Sequence, residues 1–284
     1  MAYKAEVLTD ARCIVGEGPL WDERTRCLRM VDIQGKRMRC IHWDSGRIED
    51  TVLPQQTALL LPEVGGGFLG GAEDGVYRIG EGGDFRRVSA PITLKGQRFN
   101  DGKVGPDGRA YLGTFSRDRS AAFYRMDTDG VLTELFDDVG NSNGLDWCAD
   151  GTKMYYNDTP TGRTDVFDFD AGAGSLSNRR TVFHYAYGRP DGMTVDADGN
   201  LWVALWGAGC VVCIDPEKGD MIRKLELPVR QVASCAFAGE RLDTLVITTA
   251  AHGIHLKEEP LAGAVFAVEM GVRGVQQNQI ALRV

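Results

Sequence analysis

The sequence predicts an all-β fold, a six-bladed β-propeller with four antiparallel strands in each blade, and three observations support that prediction. Apolar residues recur with a period of two in short runs, which is the pattern of half-buried strands. Glycine is frequent, at 36 of 284 residues, and much of it lies in Asp-Gly or Gly-Gly pairs that suit hairpin turns. A repeated pattern also recurs at intervals of roughly 42 to 48 residues.

The alternating runs are bounded by Gly, Asp and Pro, and none resembles an amphipathic helix of ten or more residues. We therefore predict strands at Leu28–Ile33, Val76–Ile79, Ala110–Phe115, Met154–Asn157, Val166–Phe169, Leu201–Leu205, Val211–Ile214 and Leu245–Thr249.

Three copies of the repeat share one layout. Each begins with Asn or Asp, continues through an alternating apolar segment and turns at Asp-Gly; they are Asn100–Gly108, Asn143–Gly151 and Asp191–Gly199. A fourth copy, Glu17–Thr25, keeps the spacing but has no Gly at its turn. Two further units, which begin near Ala58 and Ser234, complete a set of six. Six units of four strands are typical of a propeller.

One such unit cannot bury both faces of its sheet by itself, so the units are expected to close into a ring. We therefore predict that residues 1–284 form a single propeller domain. The N-terminal run Ala5–Leu8 and the C-terminal run Ala264–Val268 are predicted to share a blade and fasten the ring.

Composition excludes several classes of partner. The net charge of −8 and the pI near 5.1 disfavour binding to nucleic acid or to an anionic membrane. No apolar stretch has the length of a signal peptide or of a membrane span. The seven cysteines have no framework spacing, which indicates a reduced, cytoplasmic protein. We predict no nucleic-acid, membrane or protein partner.

The repeat also predicts a site. In a propeller the first strand of every blade lines the central channel, so residues that open these strands meet at one mouth. Glu17, Asn143 and Asp191 would bring two carboxylates and an amide oxygen there, a donor set that suits Ca²⁺, Mg²⁺ or Mn²⁺. The alternative is structural, because Asn and Asp before Gly are also common turn and cap residues.

Four phrases, in order, closely resemble the senescence-marker-protein, gluconolactonase and regucalcin family. They are Gly16–Trp21, Arg98–Lys103 with Gly113–Thr114, Ser142–Trp147 and Pro190–Met193, and the likeness runs from about Glu17 to Thr249. The resemblance implies a six-bladed propeller that hydrolyses sugar lactones and carries one divalent cation at the channel mouth. Ca²⁺, Mg²⁺, Mn²⁺, Zn²⁺ and Fe²⁺ all remain candidates for this cation.

The same resemblance assigns roles to individual residues. It implies that Glu17, Asn143 and Asp191 bind the metal, that Arg98 and Asn100 grip the lactone, and that Asp191 doubles as general base. Members of the family often place a Glu after the Gly-Thr pair to contact substrate hydroxyls. This chain instead has Arg117–Arg119 there, so we expect Asp118 to be the substrate-binding acid and the preferred lactone to differ.

Two other functions stay open: a hydrolase of other esters or of phosphotriesters with the same metal cage, and a non-catalytic calcium-binding propeller. The absence of a Gly-x-Ser-x-Gly elbow disfavours a serine hydrolase. Cys210 and Cys213 lie three apart on one predicted strand and should therefore point to opposite faces. His252 and His255 are expected in a loop near the mouth.

Overall fold

The computed structural model describes residues 4–9, 11–91 and 93–283; positions 1–3, 10, 92 and 284 of the predicted domain lie outside the described residues. Within the described part, 24 strands form six four-stranded antiparallel sheets, and no α-helix is present. Two short 3₁₀ turns, Glu81–Gly83 and Thr159–Thr161, are the only helical segments there. Neither has the length or hydropathy of a membrane span.

The strands are numbered in chain order. Blade 1 comprises β2 (Gly16–Asp22), β3 (Cys27–Asp32), β4 (Arg37–His42) and β5 (Ile48–Val52). Blade 2 comprises β6 (Thr57–Pro62), β7 (Phe68–Ala72), β8 (Val76–Ile79) and β9 (Phe85–Arg87). Blade 3 comprises β10 (Arg98–Val104), β11 (Ala110–Phe115), β12 (Ala121–Met126) and β13 (Leu132–Val139). Blade 4 comprises β14 (Ser142–Trp147), β15 (Lys153–Asp158), β16 (Arg163–Asp170) and β17 (Ser175–His184).

Blade 5 comprises β18 (Arg189–Val195), β19 (Leu201–Trp206), β20 (Cys210–Asp215) and β21 (Asp220–Glu226). Blade 6 comprises β22 (Val232–Ala238), β23 (Thr244–Thr249), β24 (Val265–Glu269) and the N-terminal β1 (Glu6–Thr9). Every strand predicted from the sequence lies at one of these strands, with edges that differ by at most three residues. The six-bladed, four-stranded fold class is confirmed.

The ring closes where the two ends of the chain meet. β1 pairs antiparallel with β24, so Glu6 lies opposite Ala267 and Val7 opposite Phe266. The innermost strands contact one another in a complete cycle, from β2 through β6, β10, β14, β18 and β22 back to β2. The predicted shared blade is therefore confirmed, and the cycle places all six first strands around one axis.

Apolar side chains fill the spaces between neighbouring blades. The contact of blades 3 and 4 is largely aromatic: the ring of Tyr111 meets that of Trp147 edge-on at 5.3 Å, and Phe123 meets Tyr156 at 5.1 Å. Trp202 similarly meets Phe237 between blades 5 and 6, at 6.3 Å. Each such pair typically contributes about 0.5–1.5 kcal/mol beyond its burial. These contacts pack each blade firmly against its neighbour.

A β-bulge interrupts every innermost strand close to the channel mouth. The register shifts between Glu17 and Leu20 in blade 1, and equivalent shifts occur in the other five blades. The residues left out of the ladder include Asn100, Asn143 and Asp191. Because a bulge turns side chains away from simple alternation, it aims these donors into the channel.

The residues that open the four repeat copies are called the marker residues here: Glu17, Asn100, Asn143 and Asp191. The close approach of neighbouring inner strands requires the glycines that follow two of them. A Cβ on Gly144 would lie 2.5 Å from the backbone nitrogen of Met193 and 2.6 Å from the carbonyl oxygen of Asp191. A Cβ on Gly192 would lie 2.8 Å from the Cα of Ser234. Backbone atoms cannot move aside as a flexible side chain can, so the Asn-Gly and Asp-Gly pairs are fixed by packing at the axis.

The C-terminal segment crosses the far end of the channel. Ile280 bridges to Glu63 after β6, and Gly274 bridges to Asp196 after β18. The amide of Asn278 donates to the carbonyl of Val104, the last residue of β10, at 3.3 Å. Three inner strands are thus covered at the end opposite the marker residues.

Gly144→Ala is expected to destabilise the protein by about 1–3 kcal/mol, the usual cost of overpacking. The added methyl group would push β14 away from β18, at the point where two predicted metal ligands stand. Chemical denaturation of the purified variant measures the change. Gly172→Ala, in an exposed hairpin, is the matched control and should leave the midpoint unchanged. Equal midpoints for both variants would contradict the packing role of Gly144.

Candidate active site at the channel mouth

The three predicted metal ligands open the inner strands of blades 1, 4 and 5. Glu17 is the second residue of β2, Asn143 the second of β14 and Asp191 the third of β18. All three are buried, with exposed fractions of 8%, 2% and 6% respectively. The charge of Asp191 raises the pKa of Glu17, and the Asp191 carboxylate is within hydrogen-bonding reach of the Asn143 side chain. The structure therefore brings the three side chains into one neighbourhood.

The amide of Asn143 has a fixed orientation. Its Nδ2 donates to Thr159 Oγ1 at 2.8 Å, and the Thr159 hydroxyl donates in turn to the carbonyl of Pro190 at 2.8 Å. Asn143 Oδ1 is buried and has no hydrogen-bond partner. A buried polar atom without a partner is costly, and in native proteins it usually marks a bound water, ion or ligand. The oxygen is thus held ready for a ligand.

The backbone of Asp191 is held by a neighbouring blade. Asn157, on β15, donates from Nδ2 to the Asp191 carbonyl at 2.9 Å, and Thr164 donates to Asn157 Oδ1 at 2.7 Å. Both Asn157 and Thr164 are fully buried. No sequence motif marks Asn157 or Thr159, because their contacts depend on how blade 4 packs on blade 5.

Asp101 is a further carboxylate of this site, and sequence analysis assigned it no role. In a regular strand it would point away from its neighbour Asn100, but the bulge between Phe99 and Asp101 breaks that alternation. Its charge raises the pKa values of both Glu17 and Asp191. The Asn-Asp-Gly triplet that contains Asp101 could have drawn attention to it, had a bulge been expected there.

Burial and neighbouring negative charge disfavour the ionised forms of the three carboxylates. Burial is the main cause that raises the pKa of Glu17 well above its usual range, and the charge of Asp191 adds to it. Burial likewise raises the pKa of Asp191, followed by the charge of Asp101. Burial also raises the pKa of Asp101, to about 6. A cation between these groups would relieve the repulsion.

One positive side chain lies at the rim of this cluster. Arg98 donates from Nη1 to Asn100 Oδ1 at 2.7 Å and to the carbonyl of Phe99 at 2.8 Å, and it stacks over the ring of Phe115. Asn100 donates from Nδ2 to the carbonyl of Ser142 at 2.7 Å. Arg98 acts on Glu17 and Asp191 through its charge. The predicted substrate-gripping pair therefore stands beside the predicted metal ligands.

Asp118 lies in the loop between β11 and β12, which begins at the same mouth because Phe115 pairs with Arg98. Its side chain is exposed, and it accepts hydrogen bonds from the hydroxyls of Ser116 and Ser120. These bonds lower its pKa to about 2, so it is an anion at neutral pH. Its role as the substrate-binding acid stays a prediction.

The donor set fits a divalent cation. Two buried carboxylates from Glu17 and Asp191, the unpartnered oxygen of Asn143 and the nearby Asp101 offer hard oxygen atoms. Fewer than six protein ligands leave positions for water or substrate, as a catalytic ion needs. Glu17, Asn143 and Asp191 would hold the ion.

Cys210 and Cys213 lie in the core, away from this cluster. Cys210 packs in the core between blades 4 and 5, and Cys213 packs in the core between blades 5 and 6. They therefore point to opposite faces of β20, as the alternation predicts. His252 is exposed, and its Nδ1 lies 3.0 Å from Gln34 Oε1. His255 is also exposed, and both histidines follow β23 in irregular structure.

Comparison with known proteins identifies the family. The model of the SMP-30/gluconolactonase/LRE-like region matches residues 15–251. The chain therefore belongs to this family, and the resemblance noted from its sequence motifs is confirmed.

Similar proteins span the whole fold. The chain is 36% identical to regucalcin of Danio rerio over 297 residues, which cover 96% of this chain and 97% of the relative. It is also 36% identical over 277 residues to YvrE of Bacillus subtilis, whose name assigns it provisionally to the sugar lactone lactonases; the match covers 94% and 95% of the two chains.

Among solved structures, regucalcin from Agrobacterium tumefaciens, described as a calcium-binding protein, superposes with a TM-score of 0.91 at 25% identity. That match covers 99% of both chains. A luciferin-regenerating enzyme superposes with a TM-score of 0.88 at 28% identity, covering 99% of this chain and all of the other.

Thr159→Val is expected to weaken divalent-cation binding by about 10- to 100-fold, the usual effect of losing the partner that orients a ligand. Valine keeps the shape of threonine but cannot accept the hydrogen bond from Asn143. Calorimetric titration with Ca²⁺ or Mn²⁺ measures the affinity. Thr161→Val is the matched control, because that hydroxyl binds only the carbonyl of Asp158 in the same turn. Unchanged affinity in Thr159→Val would show that Asn143 needs no such support.

Proposed function

We propose that this protein is a metal-dependent hydrolase that opens a sugar lactone, such as a glucono-, arabinono-, xylono- or galactonolactone, to the aldonate. The observation that carries the proposal is the buried, unpartnered Oδ1 of Asn143 beside the carboxylates of Glu17 and Asp191. Membership of a family whose model names a gluconolactonase supports it, as does the likeness to YvrE.

Substrate binding falls to the residues at the rim. Arg98 presents guanidinium N–H groups that donate to the oxygens of a lactone, and its stacking on Phe115 keeps the planar group in place. Asn100 offers both a donor and an acceptor to a sugar hydroxyl. Asp118, held as an anion by Ser116 and Ser120, accepts hydrogen bonds from further hydroxyls.

Hydrolysis requires a water molecule to add to the ester carbonyl of the ring. Asp191 accepts a proton from that water, the new C–O bond forms, and the ring C–O bond then breaks with the proton passing to the leaving oxygen. In the metal-free site burial raises the pKa of Asp191, which makes its carboxylate a stronger base. A divalent cation held by Glu17, Asn143 and Asp191 would supply an electrophile for the negative charge that develops on the ester carbonyl oxygen.

The calcium-binding description of one similar structure favours a second candidate, a propeller that binds calcium without catalysis. A panel of aldonolactones, followed by acid release with and without chelator, separates the two functions. Chelator-sensitive acid release restored by one ion supports the lactonase. Calcium binding with no turnover of any lactone supports the binding protein and contradicts our proposal.

Replacing Asp191 separates its two proposed roles. Asp191→Asn keeps an oxygen ligand but removes the base, so we expect turnover to fall by at least about 100-fold while the metal stays bound. Asp191→Ala removes both and should abolish turnover. Lactone assays paired with metal analysis measure both effects. Asp198→Ala, in the exposed turn after β18, is the control. Near wild-type turnover in metal-loaded Asp191→Asn would rule out this base.

Arg98→Ala is expected mainly to raise KM, because Arg98 binds oxygens that are present in both substrate and transition state. Steady-state kinetics on the lactone with the highest activity provide the measurement. Arg117→Ala, an exposed arginine of the neighbouring loop, tests whether any loss of positive charge at the mouth has the same effect. A loss confined to kcat would assign Arg98 to the transition state instead.

A further inference from the structure

Three metal-ligating side chains share one face of blade 1, away from the channel. Cys27 on β3 lies directly opposite His42 on β4 in the antiparallel register, and Cys40 precedes His42 by two residues. Residues opposite one another and residues two apart on a strand share a face of the sheet. This face carries Met38 into the core between blades 1 and 2.

The ligand atoms of these side chains are close enough for one ion. The two thiol sulfurs and an imidazole nitrogen all lie within 4.8 Å of one another. The Sγ of Cys27 is 3.4 Å from His42 Nδ1. Two thiolates and an imidazole are the donor set of zinc sites, and they also suit other soft or borderline cations.

The histidine has an acceptor on its other side. His42 Nε2 is 3.2 Å from Glu49 Oε2. Glu49 lies opposite Cys40 in the pairing of β4 with β5, so it shares the face with the three ligands. A histidine that ligates through Nδ1 must carry its proton on Nε2. In zinc sites this N–H usually donates a hydrogen bond to a carboxylate or a backbone carbonyl.

Arg47 competes for the same nitrogen in this structure. Its Nη2 lies 2.9 Å from His42 Nε2, and it also pairs with Glu49. Arg47 is largely exposed, with 60% of its side chain open to water, so it can turn away at little cost. Binding at Nδ1 would select the tautomer in which Glu49 rather than Arg47 is the partner of Nε2.

The cluster is separate from the channel mouth, and His42 connects it to solvent. Glu17 stands near the start of β2, whereas Asp22 at the end of β2 pairs with Cys27. Five residues of strand separate these ends by roughly 15 Å. Cys27 and Cys40 are buried, but 27% of the His42 side chain is exposed, which gives an ion a path from water.

We propose that Cys27, Cys40 and His42 form a second cation site, specific for zinc or a similar thiophilic ion, with Glu49 as a positioning residue. The two sulfurs and Nδ1 of His42 supply three ligands, and a water completes a tetrahedral set. Such an ion would join β3 to β4 near the outer part of blade 1, so its expected effect is on stability rather than on turnover.

Cobalt(II) is the probe, because thiolate ligation produces a charge-transfer absorption that an all-oxygen site cannot give. The full chain, reduced, freed of metal and carrying Cys148→Ser to remove the half-buried cysteine, is titrated with Co²⁺. We expect one equivalent to produce the thiolate band. Zn²⁺ should then displace the cobalt and raise the thermal midpoint.

Variants locate the ligands. Cys27→Ser and Cys40→Ser should each lose most of the band, and His42→Gln should shift its ligand-field spectrum. Glu49→Gln should weaken binding by about 10- to 100-fold without changing the spectrum. Cys235→Ser, a buried cysteine of blade 6, is the matched control and should behave as the parent. A band that survives in the Cys27→Ser/Cys40→Ser double variant overturns the proposal.

A measurement on the unsubstituted protein protects the test against variants that fail to fold. Zn²⁺ should slow alkylation of Cys27 and Cys40 but not of Cys148, as peptide mapping by mass spectrometry would report. Equal alkylation rates with and without Zn²⁺ overturn the proposal. A Cys27–Cys40 disulfide that forms in place of metal binding overturns it as well.

Discussion

The crowding of six inner strands around one axis is the constraint on which the rest of the structure depends. Neighbouring strands approach so closely at the mouth that Gly144 and Gly192 have no room for a side chain. The bulges at the same level release residues from the ladder and direct them inward. The same local geometry therefore determines both the packing at the axis and the candidate site. In the Asn-Gly and Asp-Gly pairs the glycine allows the close approach of the strands, and the residue before it supplies the oxygen donor.

The ring is symmetric in its backbone but not in its chemistry. At the level of the bulge, blades 2 and 6 present Ala58 and Ala233, whereas blades 1, 3, 4 and 5 present oxygen donors. Blades 2 and 6 both adjoin blade 1, so Glu17 faces the donors of blades 3, 4 and 5 across the axis, and the two alanines leave space on either side of it. Burial of Glu17 and Asp191 there raises both pKa values, which is a cost to folding that bound metal would offset.

The parts predictable from sequence are those that repeat. The recurrence of Asn143 and Asp191 in one register, with Glu17 in the same place, was sufficient to predict the blades and the shared position of these donors. Asp101 was missed because strand alternation hides a bulge, and Thr159 because its bond to Asn143 arises within a 3₁₀ turn. Cys27, Cys40 and His42 follow no motif; only the pairing of β3 with β4 brings them together.

The two groups of potential ligands differ in hardness, and this difference would keep their ions apart. The channel mouth offers only oxygen atoms from Glu17, Asn143 and Asp191, which favour calcium, magnesium or manganese. The cluster of Cys27, Cys40 and His42 in blade 1 offers sulfur and imidazole nitrogen, which calcium and magnesium bind poorly. A zinc-like ion held by Cys27 and Cys40 would thus leave the mouth free for a hard cation. Because a thiophilic ion can also occupy oxygen sites when in excess, the number of ions bound matters more than affinity for any single metal. Activity measured in zinc-rich buffer would then report occupancy of the channel mouth, whereas the thermal midpoint would also report occupancy at Cys27, Cys40 and His42.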